Sequence, residues 1–374
     1  MDNPFKNILS NIKLFNNTGG DGAVGIDIGS SSIKIVEIKR KKGKVMLQTY
    51  GMISLGSYAE VDLGKVTNLP PEKIVEAVKE VLKQSAVSTA NAAFSLPVQS
   101  SLIFTVEIPP NVKESEIPSI VPNEARKYIP VPITEVSLDW FLIPQKESSF
   151  EQSSNPDVPI APQKKEVLVV AIQNDALSKY KSIVNDVKLN VGFFEIEIFS
   201  SIRSNLEHEL SPVLLMDFGA SRTKLSLIEF GVIRSFHTIP RGGADITESI
   251  AQSLSIPFSK AEEKKKNFGL YGDPEEKNLA DIIKVHTDYI FSEANNVLLG
   301  YEKKYNQTIS KVILTGGGSM LKGLKEVAVG NFKAGVETGD PFSKVGAPEF
   351  LEKVLKTVGP EFAVAIGLAL RKLE

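Results

Sequence analysis

Two short segments of this sequence share one residue pattern, about half the chain length apart. The first reads VGIDIGSSSIKIVEI from Val24 to Ile38, and the second reads LMDFGASRTKLSLIEF from Leu215 to Phe230. In each, an aspartate (Asp27 or Asp217) lies at the end of an apolar strand, just before a turn of small residues. Successive turn amides favour an anion, and two facing carboxylates suit a hydrated Mg²⁺ ion. The repeated pattern therefore predicts a site for a phosphate and a metal.

The two turns supply the groups that such a site needs. Gly29 and Gly219 allow the backbone to approach a ligand closely, and hydroxyl side chains add hydrogen-bond donors. The hydroxyl residues are Ser30, Ser31 and Ser32 in the first turn and Ser221 and Thr223 in the second. Lys34 follows the first turn within a strand, so its direction relative to the site stays open. The alternative is a hairpin turn without a ligand, but two copies at matched positions favour a ligand.

A third segment, ILTGGGSML, adds a glycine triplet, Gly316, Gly317 and Gly318, followed by Ser319. The triplet follows an apolar strand and precedes a helix, so its backbone could contact a flat or phosphorylated ligand at a helix N-terminus. The alternative is a tight strand–helix turn, for which one glycine would suffice. Three glycines favour a binding loop.

The elements around these motifs also repeat. Alternating apolar residues predict a strand meander in each half of the chain, followed by further strands and helices. The predicted strands are 23–28, 33–40 and 44–54 in the first half and 213–218, 223–230 and 232–239 in the second. A repeat this long is typical of two duplicated domains rather than a solenoid.

The pattern changes between residues 90 and 185, which we predict to be a small α+β subdomain inserted into the first half. Within it, residues 144–166 are rich in proline and serine and predict a flexible loop. The complete division has four parts. They are an N-terminal amphipathic segment and linker (1–22), a first domain (23–89 and 186–212, with the C-terminal helix 360–374), the insertion (90–185) and a second domain (213–359).

Composition excludes several classes of function. The formal net charge is −2, which gives no reason to expect a nucleic-acid partner. The chain has no cysteine and three scattered histidines, so thiolate or histidine metal clusters are not expected. No segment approaches the ~20 apolar residues of a membrane span. We therefore expect a cytoplasmic protein without a direct transmembrane segment.

The motifs together resemble the PilM family of pilus assembly proteins, which belongs to the actin-like ATPase superfamily and is related to FtsA. Besides the three loops, the matching segments are EARKYIPVP with VSLDW after it, IPRGGADITESIA, AEEKKKNFG, VILTGGGSMLKGL and EFAVAIGLALR. They run in order from about residue 23 to the C-terminus, apart from 144–166. The resemblance implies an α/β fold: an actin-like (ribonuclease H-like) duplicated two-domain fold with an inserted small α+β subdomain.

The resemblance also implies ATP and Mg²⁺ as ligands. The two hairpin turns, with Lys34, would be the phosphate loops, Asp27 and Asp217 the metal carboxylates, and Gly316–Ser319 the adenosine loop. Gly242 and Gly243 would open a helix beside the phosphates, and Glu262 and Lys265 would contact the nucleoside. The alternative for Glu262 and Lys265 is a solvated, charged helix face.

Hydrolysis depends on a different part of the chain. In actin-like enzymes an acid or amide at the helix linking the halves orients water, and Glu197 is the candidate here. The alternative, which the sequence favours, is a surface glutamate near a helix N-terminus, stabilised by the helix dipole. We therefore expect ATP turnover that is slow or absent.

The family resemblance implies a scaffold of the pilus machine that binds the short cytoplasmic N-terminal peptide of an inner-membrane pilus protein, PilN in that family. Such a partner would recruit the protein to the inner-membrane face. The N-terminal segment has Phe5, Ile8 and Leu9 at helical spacing, which leaves three alternatives: packing on its own domain, on a partner or a second copy, or on a membrane. Its few basic residues favour partner or self packing over membrane binding. The alternatives are an FtsA-like filament-forming division protein and, less favoured, a small-molecule kinase of the same superfamily.

Overall fold

The computed structural model describes residues 21–144, 164–207, 209 and 211–373. The predicted N-terminal amphipathic segment and most of the predicted flexible loop 144–166 lie outside the described residues. The end of that loop does not, because Lys165 and Glu166 begin a strand of the structure. The prediction of a loop is therefore wrong for these two residues.

The first sheet is built from five strands in the order β3-β2-β1-β4-β8. Its strands are β1 (Gly22–Ile28), β2 (Ser32–Lys41), β3 (Lys44–Ser54), β4 (Asn91–Leu96) and β8 (Asn190–Ile196). β1, β2 and β3 form an antiparallel meander, and β4 lies parallel to both β1 and β8. This mixed sheet carries the first repeated hairpin at its centre.

The second sheet has the same plan, with the order β11-β10-β9-β12-β13. Its strands are β9 (Val213–Phe218), β10 (Thr223–Glu229), β11 (Val232–Ile239), β12 (Lys311–Thr315) and β13 (Gly335–Thr338). β9, β10 and β11 are antiparallel, while β12 is parallel to β9 and to β13. The predicted duplication is therefore present in the strand topology itself.

A third sheet, with the order β5-β7-β6, is separate from these two. It consists of β5 (Ser101–Ile108), β6 (Val136–Leu142) and β7 (Lys165–Gln173), and all its pairings are antiparallel. Its own apolar core includes Val106, Val121 and Val169. This sheet is the structural centre of the predicted insertion.

Ten helices flank the sheets in the described part of the chain. They are α1 (Pro71–Gln84), α2 (Ile117–Ala125), α3 (Asn174–Val187), α4 (Glu197–Asn205), α5 (Gly243–Leu254), α6 (Phe258–Phe268), α7 (Leu279–Tyr305), α8 (Leu324–Asn331), α9 (Glu349–Val358) and α10 (Ala363–Leu373). α10 packs on β1 so closely that a Cβ atom at Gly25 would overlap the carbonyl oxygen of Ala365. The last helix of the chain is thus part of the first half.

The structure differs from the sequence-based division at both ends of the insertion. β4 pairs with β1 and β8 in the first sheet, not with the third sheet. α3 packs against α1 and buries Ile183 and Val184 in the core beneath the first sheet. The prediction of 90–185 as one subdomain missed this because β4 and α3 join their partners through pairings distant in sequence.

Candidate functional site

The two repeated turns have the same backbone geometry. The N–H of Gly29 donates to the carbonyl of Ser32, and the N–H of Gly219 donates to the carbonyl of Arg222, both at 3.0 Å. The antiparallel register of the first hairpin places Asp27 directly opposite Lys34. Directly opposed residues point to the same face of a sheet, so Lys34 shares the face of Asp27.

The carboxylate of Asp27 is buried and has a neutral partner. Ser95 donates its hydroxyl to Asp27 Oδ1 at 2.9 Å and accepts the N–H of Ile28 at 3.0 Å. Burial raises the pKa of Asp27 to about 6, against the lowering effect of Lys34, and the Glu197 carboxylate raises it further. A cation at this carboxylate would lower its pKa again. Asp27 therefore has the chemistry of a carboxylate that gains from a bound metal ion.

The first turn is held by backbone contacts to a neighbouring loop. The carbonyl of Ser30 accepts the N–H of Thr67 at 2.8 Å, and the carbonyl of Ser31 accepts the N–H of Leu55 at 2.9 Å. Lys34 Nζ donates to the hydroxyl of Ser32 at 2.9 Å. Backbone hydrogen bonds thus hold the turn in place, and the Lys34 ammonium is hydrogen-bonded to Ser32.

The second hairpin carries a buried charge cluster. Lys224 lies opposite Asp217 in the register and donates to Asp217 Oδ2 at 3.0 Å and to Glu197 Oε2 at 2.5 Å. Burial alone would lower the pKa of Lys224, but the Asp217 and Glu197 carboxylates together raise it above the ordinary range. The N–H of Val98 donates to the other oxygen of Glu197 at 3.0 Å. The interpretation of Glu197 as a surface residue is therefore wrong.

Lys224 was not among the site residues predicted from the sequence. The signal was nevertheless present, because Lys224 follows Gly219 at the same distance as Lys34 follows Gly29. Strand register then places both lysines opposite an aspartate. The equivalence of Lys34 and Lys224 is visible in the sequence, but the contact of Lys224 with Glu197 depends on the tertiary fold.

α5 begins directly on the second turn. The N–H of Gly243 donates to the carbonyl of Gly219, and the N–H of Ala244 donates to that of Ala220, both at 2.9 Å. A Cβ atom at Gly242 would come within 2.6 Å of the nitrogen of Arg222. Thr223 Oγ1 donates to the Arg241 carbonyl at 2.9 Å, which secures the same junction, and Ser221 lies half-buried within the turn. The positive end of the α5 dipole is thus joined to the turn.

Glu262 and Lys265 lie beside this helix start. Lys265 Nζ donates to the Gly243 carbonyl at 2.8 Å and lies 2.7 Å from Glu262 Oε2. Thr247 donates its hydroxyl to Glu262 at 2.5 Å. Lys265 is buried, and burial lowers its pKa. The alternative of a solvated helix face is therefore wrong for this pair.

The glycine triplet lies next to the second aspartate, because parallel pairing puts Thr315 opposite Asp217. Gly316 has φ +80, and a Cβ atom there would overlap Asp217 Oδ1. A Cβ atom at Gly317 would lie 3.0 Å from Glu361 Oε1, and a Cβ atom at Gly318 would lie 2.9 Å from the Cβ of Phe218. Ser319 closes the turn by donating its hydroxyl to the Gly316 carbonyl at 2.7 Å. The close approach of backbone and carboxylate requires glycine here.

The structure therefore brings the predicted motifs to one region, between the central hairpins of the two large sheets. Glu361 lies 3.8 Å from Lys34 and also contacts the glycine triplet, so it connects the first hairpin to the third motif. Within the described residues, no group of three or more acidic, histidine or cysteine side chains could hold a metal ion. Every described helix is also too short or too polar to cross a lipid bilayer.

Comparison with known proteins gives consistent matches. A family model described as type IV pilus assembly protein PilM matches residues 25–373. Among solved structures, the chain is similar to one titled PilM-PilN type IV pilus biogenesis complex, with a TM-score of 0.76 and 24% identity over 94% of this chain and 98% of that one. It is also similar to the ethanolamine utilization protein EutJ from Carboxydothermus hydrogenoformans, with a TM-score of 0.52 and 18% identity over 97% and 93% of the two chains. These likenesses confirm the predicted actin-like fold.

The curated relatives are cell division proteins. FtsA of Staphylococcus epidermidis is 27% identical over 340 residues, covering 81% of this chain and 71% of that one. FtsA of Neisseria meningitidis is 31% identical over 179 residues, covering 42% and 41% of the two chains. The predicted relation to FtsA is thus confirmed in sequence.

Proposed function

The chain belongs to the PilM family of type IV pilus assembly proteins, and from this membership we propose that it is a cytoplasmic, ATP-binding scaffold of the pilus machine. ATP would bind between the two large sheets. A peptide of an inner-membrane partner would bind beside the third sheet and bring the protein to the membrane face. ATP turnover would be slow or absent.

The ATP proposal rests on one observation: the start of α5 and the glycine triplet both lie in contact with the second hairpin. The N–H groups of Gly243 and Ala244 join the start of α5 to the second turn, and the Gly316–Ser319 loop lies against Asp217. Because these two N–H groups already donate to the turn, α5 would favour phosphate oxygens through its dipole, together with the other amides of the turn. The absence of side chains in the glycine loop would let the adenine and its ribose approach the backbone closely. The Glu262–Lys265 pair, next to α5, is then the proposed nucleoside contact.

Magnesium would be held mainly through Asp27 and the phosphates. Mg²⁺ keeps several water ligands and binds through one or two carboxylates plus phosphate oxygens, and the buried Asp27 carboxylate fits this role. Asp217 is the proposed second carboxylate, although its Oδ2 atom accepts a hydrogen bond from Lys224. The metal would neutralise phosphate charge in the cleft.

The contacts of Glu197 oppose a role in hydrolysis for as long as Lys224 pairs with it. A residue that orients water needs a free oxygen directed at the reacting phosphate. One oxygen of Glu197 accepts the Val98 N–H, and the other accepts the Lys224 ammonium. Glu197 would therefore have to give up a buried ion pair before it could orient water.

The partner site is proposed at one end of the third sheet. A cavity of about 70 Å³ lies where the chain enters and leaves the third sheet. Its apolar walls come from Leu102, Pro130, Val131, Val136 and Ala171, and its polar groups from Gln99, Ser101 and Gln173. This lining would take one apolar side chain of an extended peptide and hydrogen-bond its backbone. The solved relative, titled as a PilM-PilN complex, supports a PilN-like partner, and the N-terminal peptide of that partner is the occupant we propose.

A second candidate is an FtsA-like filament protein, which the FtsA match over most of this chain favours. Self-association on ATP addition would distinguish it from a peptide-binding scaffold, and sedimentation measures this directly. A small-molecule kinase would require a phosphoryl-acceptor pocket with a general base. ATP consumption in a metabolite screen would reveal such an activity.

The ATP site is tested by calorimetry on the full chain. Asp27→Ala removes the proposed metal carboxylate, and we expect Mg·ATP affinity to fall at least ~10-fold, which is about 1.4 kcal/mol. Asp217→Ala should also weaken binding. The exposed Asp62→Asn serves as a control for loss of one negative charge and should bind as the wild type does. Unchanged affinity in both cleft variants would reject the phosphate-loop assignment.

A further inference from the structure

Lys224 joins parts of the fold that are far apart in sequence. Its ammonium lies between Glu197, the first residue of α4, and Asp217, which precedes the second turn. Through its other oxygen, Glu197 accepts the N–H of Val98, which follows β4 on the way to the third sheet. The side chain is thus held inside the cleft by a carboxylate of the other half.

The cluster of Lys224, Glu197 and Asp217 has a net negative charge, which disfavours binding of a polyphosphate. One ammonium faces two carboxylates, and Asp27 lies close enough for Lys224 and Glu197 to influence its ionisation. A nucleotide polyphosphate entering the cleft would add several more negative charges. A lysine ammonium has three donors on a flexible stem, so an exchange of acceptors by Lys224 would require only rotation of its side chain.

The duplicated hairpin shows a second position for such a lysine. Lys34 is the counterpart of Lys224 in the first half, and its ammonium donates to the turn hydroxyl of Ser32 at 2.9 Å. Lys224 lies opposite its own aspartate in the same register, but the counterpart of Ser32 is Arg222, which offers no hydroxyl, and Lys224 bonds to Glu197 and Asp217 instead. The two equivalent lysines therefore have different partners: a turn hydroxyl in the first half and two carboxylates in the second.

We propose that Lys224 is a polyphosphate-binding residue that exchanges its bond with Glu197 for a phosphate oxygen when nucleotide enters the cleft. This inference rests on the proposed ATP-binding function. It assigns to Lys224, in the second half, a role in binding the nucleotide that the predicted site residues did not include. It also makes Glu197 a competitor of the nucleotide for Lys224.

The test compares four forms of the full chain: wild type, Lys224→Met, Glu197→Gln and the double variant. Calorimetry gives the ATP affinity with Mg²⁺, and thermal unfolding without nucleotide gives the stability. Lys224→Met should weaken ATP binding at least ~10-fold, because a charge-assisted hydrogen bond to phosphate is lost. Glu197→Gln should tighten ATP binding about 3-fold or more, because the competing carboxylate is neutralised. Lys311→Met is the control, since Lys311 pairs with Glu209 at 2.7 Å at the far end of the same sheet and should not affect ATP binding.

The double variant separates a binding role from a purely structural one. It restores the charge balance that Lys224→Met disturbs, so its unfolding temperature should return towards that of the wild type. Its ATP affinity should stay at least ~10-fold below wild type. Recovery of wild-type ATP affinity in the double variant would show that Lys224 only neutralises buried carboxylates. Weaker ATP binding by Glu197→Gln than by the wild type would show the same. If the wild type does not bind ATP, the proposed function itself is wrong. If the wild type binds ATP and Lys224→Met binds it equally tightly, only this inference is wrong.

Discussion

Equivalent residues of the two hairpins have different partners, and the difference comes from their surroundings. Asp27 accepts a hydrogen bond from the neutral Ser95, whereas Asp217 pairs with the charged Lys224. Burial destabilises the ionised form of Asp27, which has a neutral hydrogen-bond partner. The ionised form of Asp217 is stabilised by the Lys224 ammonium. The site is therefore duplicated in backbone but asymmetric in charge.

A buried carboxylate outside the cleft gives a test by pH. Burial raises the pKa of Asp139, on β6, from 3.8 to about 6, although the Trp140 N–H and Arg371 oppose the shift. The folded state then binds a proton more tightly than the unfolded state, so the free energy of unfolding falls as pH rises from about 4 to about 6. Asp139→Asn keeps an acceptor for the Trp140 N–H and removes the free-energy cost of ionising a buried carboxyl group. We expect it to raise the free energy of unfolding by about 1–3 kcal/mol at pH 7.5 and to have little effect at pH 4.

Urea denaturation at the two pH values measures this difference. The exposed Asp62→Asn is again the matched control, because it removes a carboxylate that is not buried. An Asp139→Asn variant whose stability relative to wild type is the same at both pH values would contradict the prediction.

At the scale of elements, the three binding loops depend on close backbone contacts. The start of α5 lies on the second turn through two hydrogen bonds, and the glycine triplet lies on the end of β9. Neither contact leaves space for a side chain at Gly242 or Gly316. The glycines are thus needed for the assembly of the site as well as for access of a ligand.

Gly316→Ala tests this requirement. Gly316 has φ +80, and an added Cβ would overlap the Asp217 carboxylate, so the loop and Asp217 must both move. We expect a loss of about 1–3 kcal/mol in the free energy of unfolding and at least ~10-fold weaker ATP binding.

Gly330→Ala is the matched control, because a Cβ at that position, on α8, meets no atom within 4 Å. Alanine is favoured over glycine in a helix, so this variant should be neutral or slightly more stable. Equal unfolding temperatures and equal ATP affinities in the two variants would show that the site does not require glycine at position 316.

At the scale of the whole molecule, the third sheet contacts both halves. Glu166, on β7, accepts hydrogen bonds at 2.9 Å from Arg234 on β11 and from Lys304 and Tyr305 at the end of α7. The same sheet is joined to the first half through β4 and α3. A movement of the halves around a nucleotide would therefore change the position of the third sheet and of the cavity beside it.

We predict that the affinity for a PilN-like N-terminal peptide differs about 5-fold or more between the nucleotide-free and Mg·ATP forms. The ATP affinity must change by the same factor when peptide is bound, because coupling between two sites is reciprocal. Glu166→Gln should move this factor towards one, since it weakens the connection of the third sheet to the second half.

A fluorescently labelled peptide titrated against both forms measures the coupling factor. Glu107→Gln is the control, because Glu107 is an exposed residue of the same sheet, 3.7 Å from Lys304. Equal peptide affinities in the two wild-type forms would mean that ATP only holds the halves together.

Features that depend on neighbours in sequence could be predicted from the sequence. The strands of both meanders, the turn glycines and the start of α5 at Gly243 follow from apolar alternation and turn residues, which act over a few positions. The equivalence of Asp27 and Asp217 was visible for the same reason. Local pattern thus determined the duplicated fold and the composition of the loops.

Features that depend on contacts between distant segments were decided only by the tertiary structure. β4 belongs to the first sheet because it pairs with β1 and β8, and no local pattern distinguishes this from pairing in the third sheet. Glu197 became a buried ion-pair partner because Val98 and Lys224 meet it from other parts of the chain. The energy of a buried charge depends on everything packed around it, so its role could be assigned only once the fold had placed its neighbours.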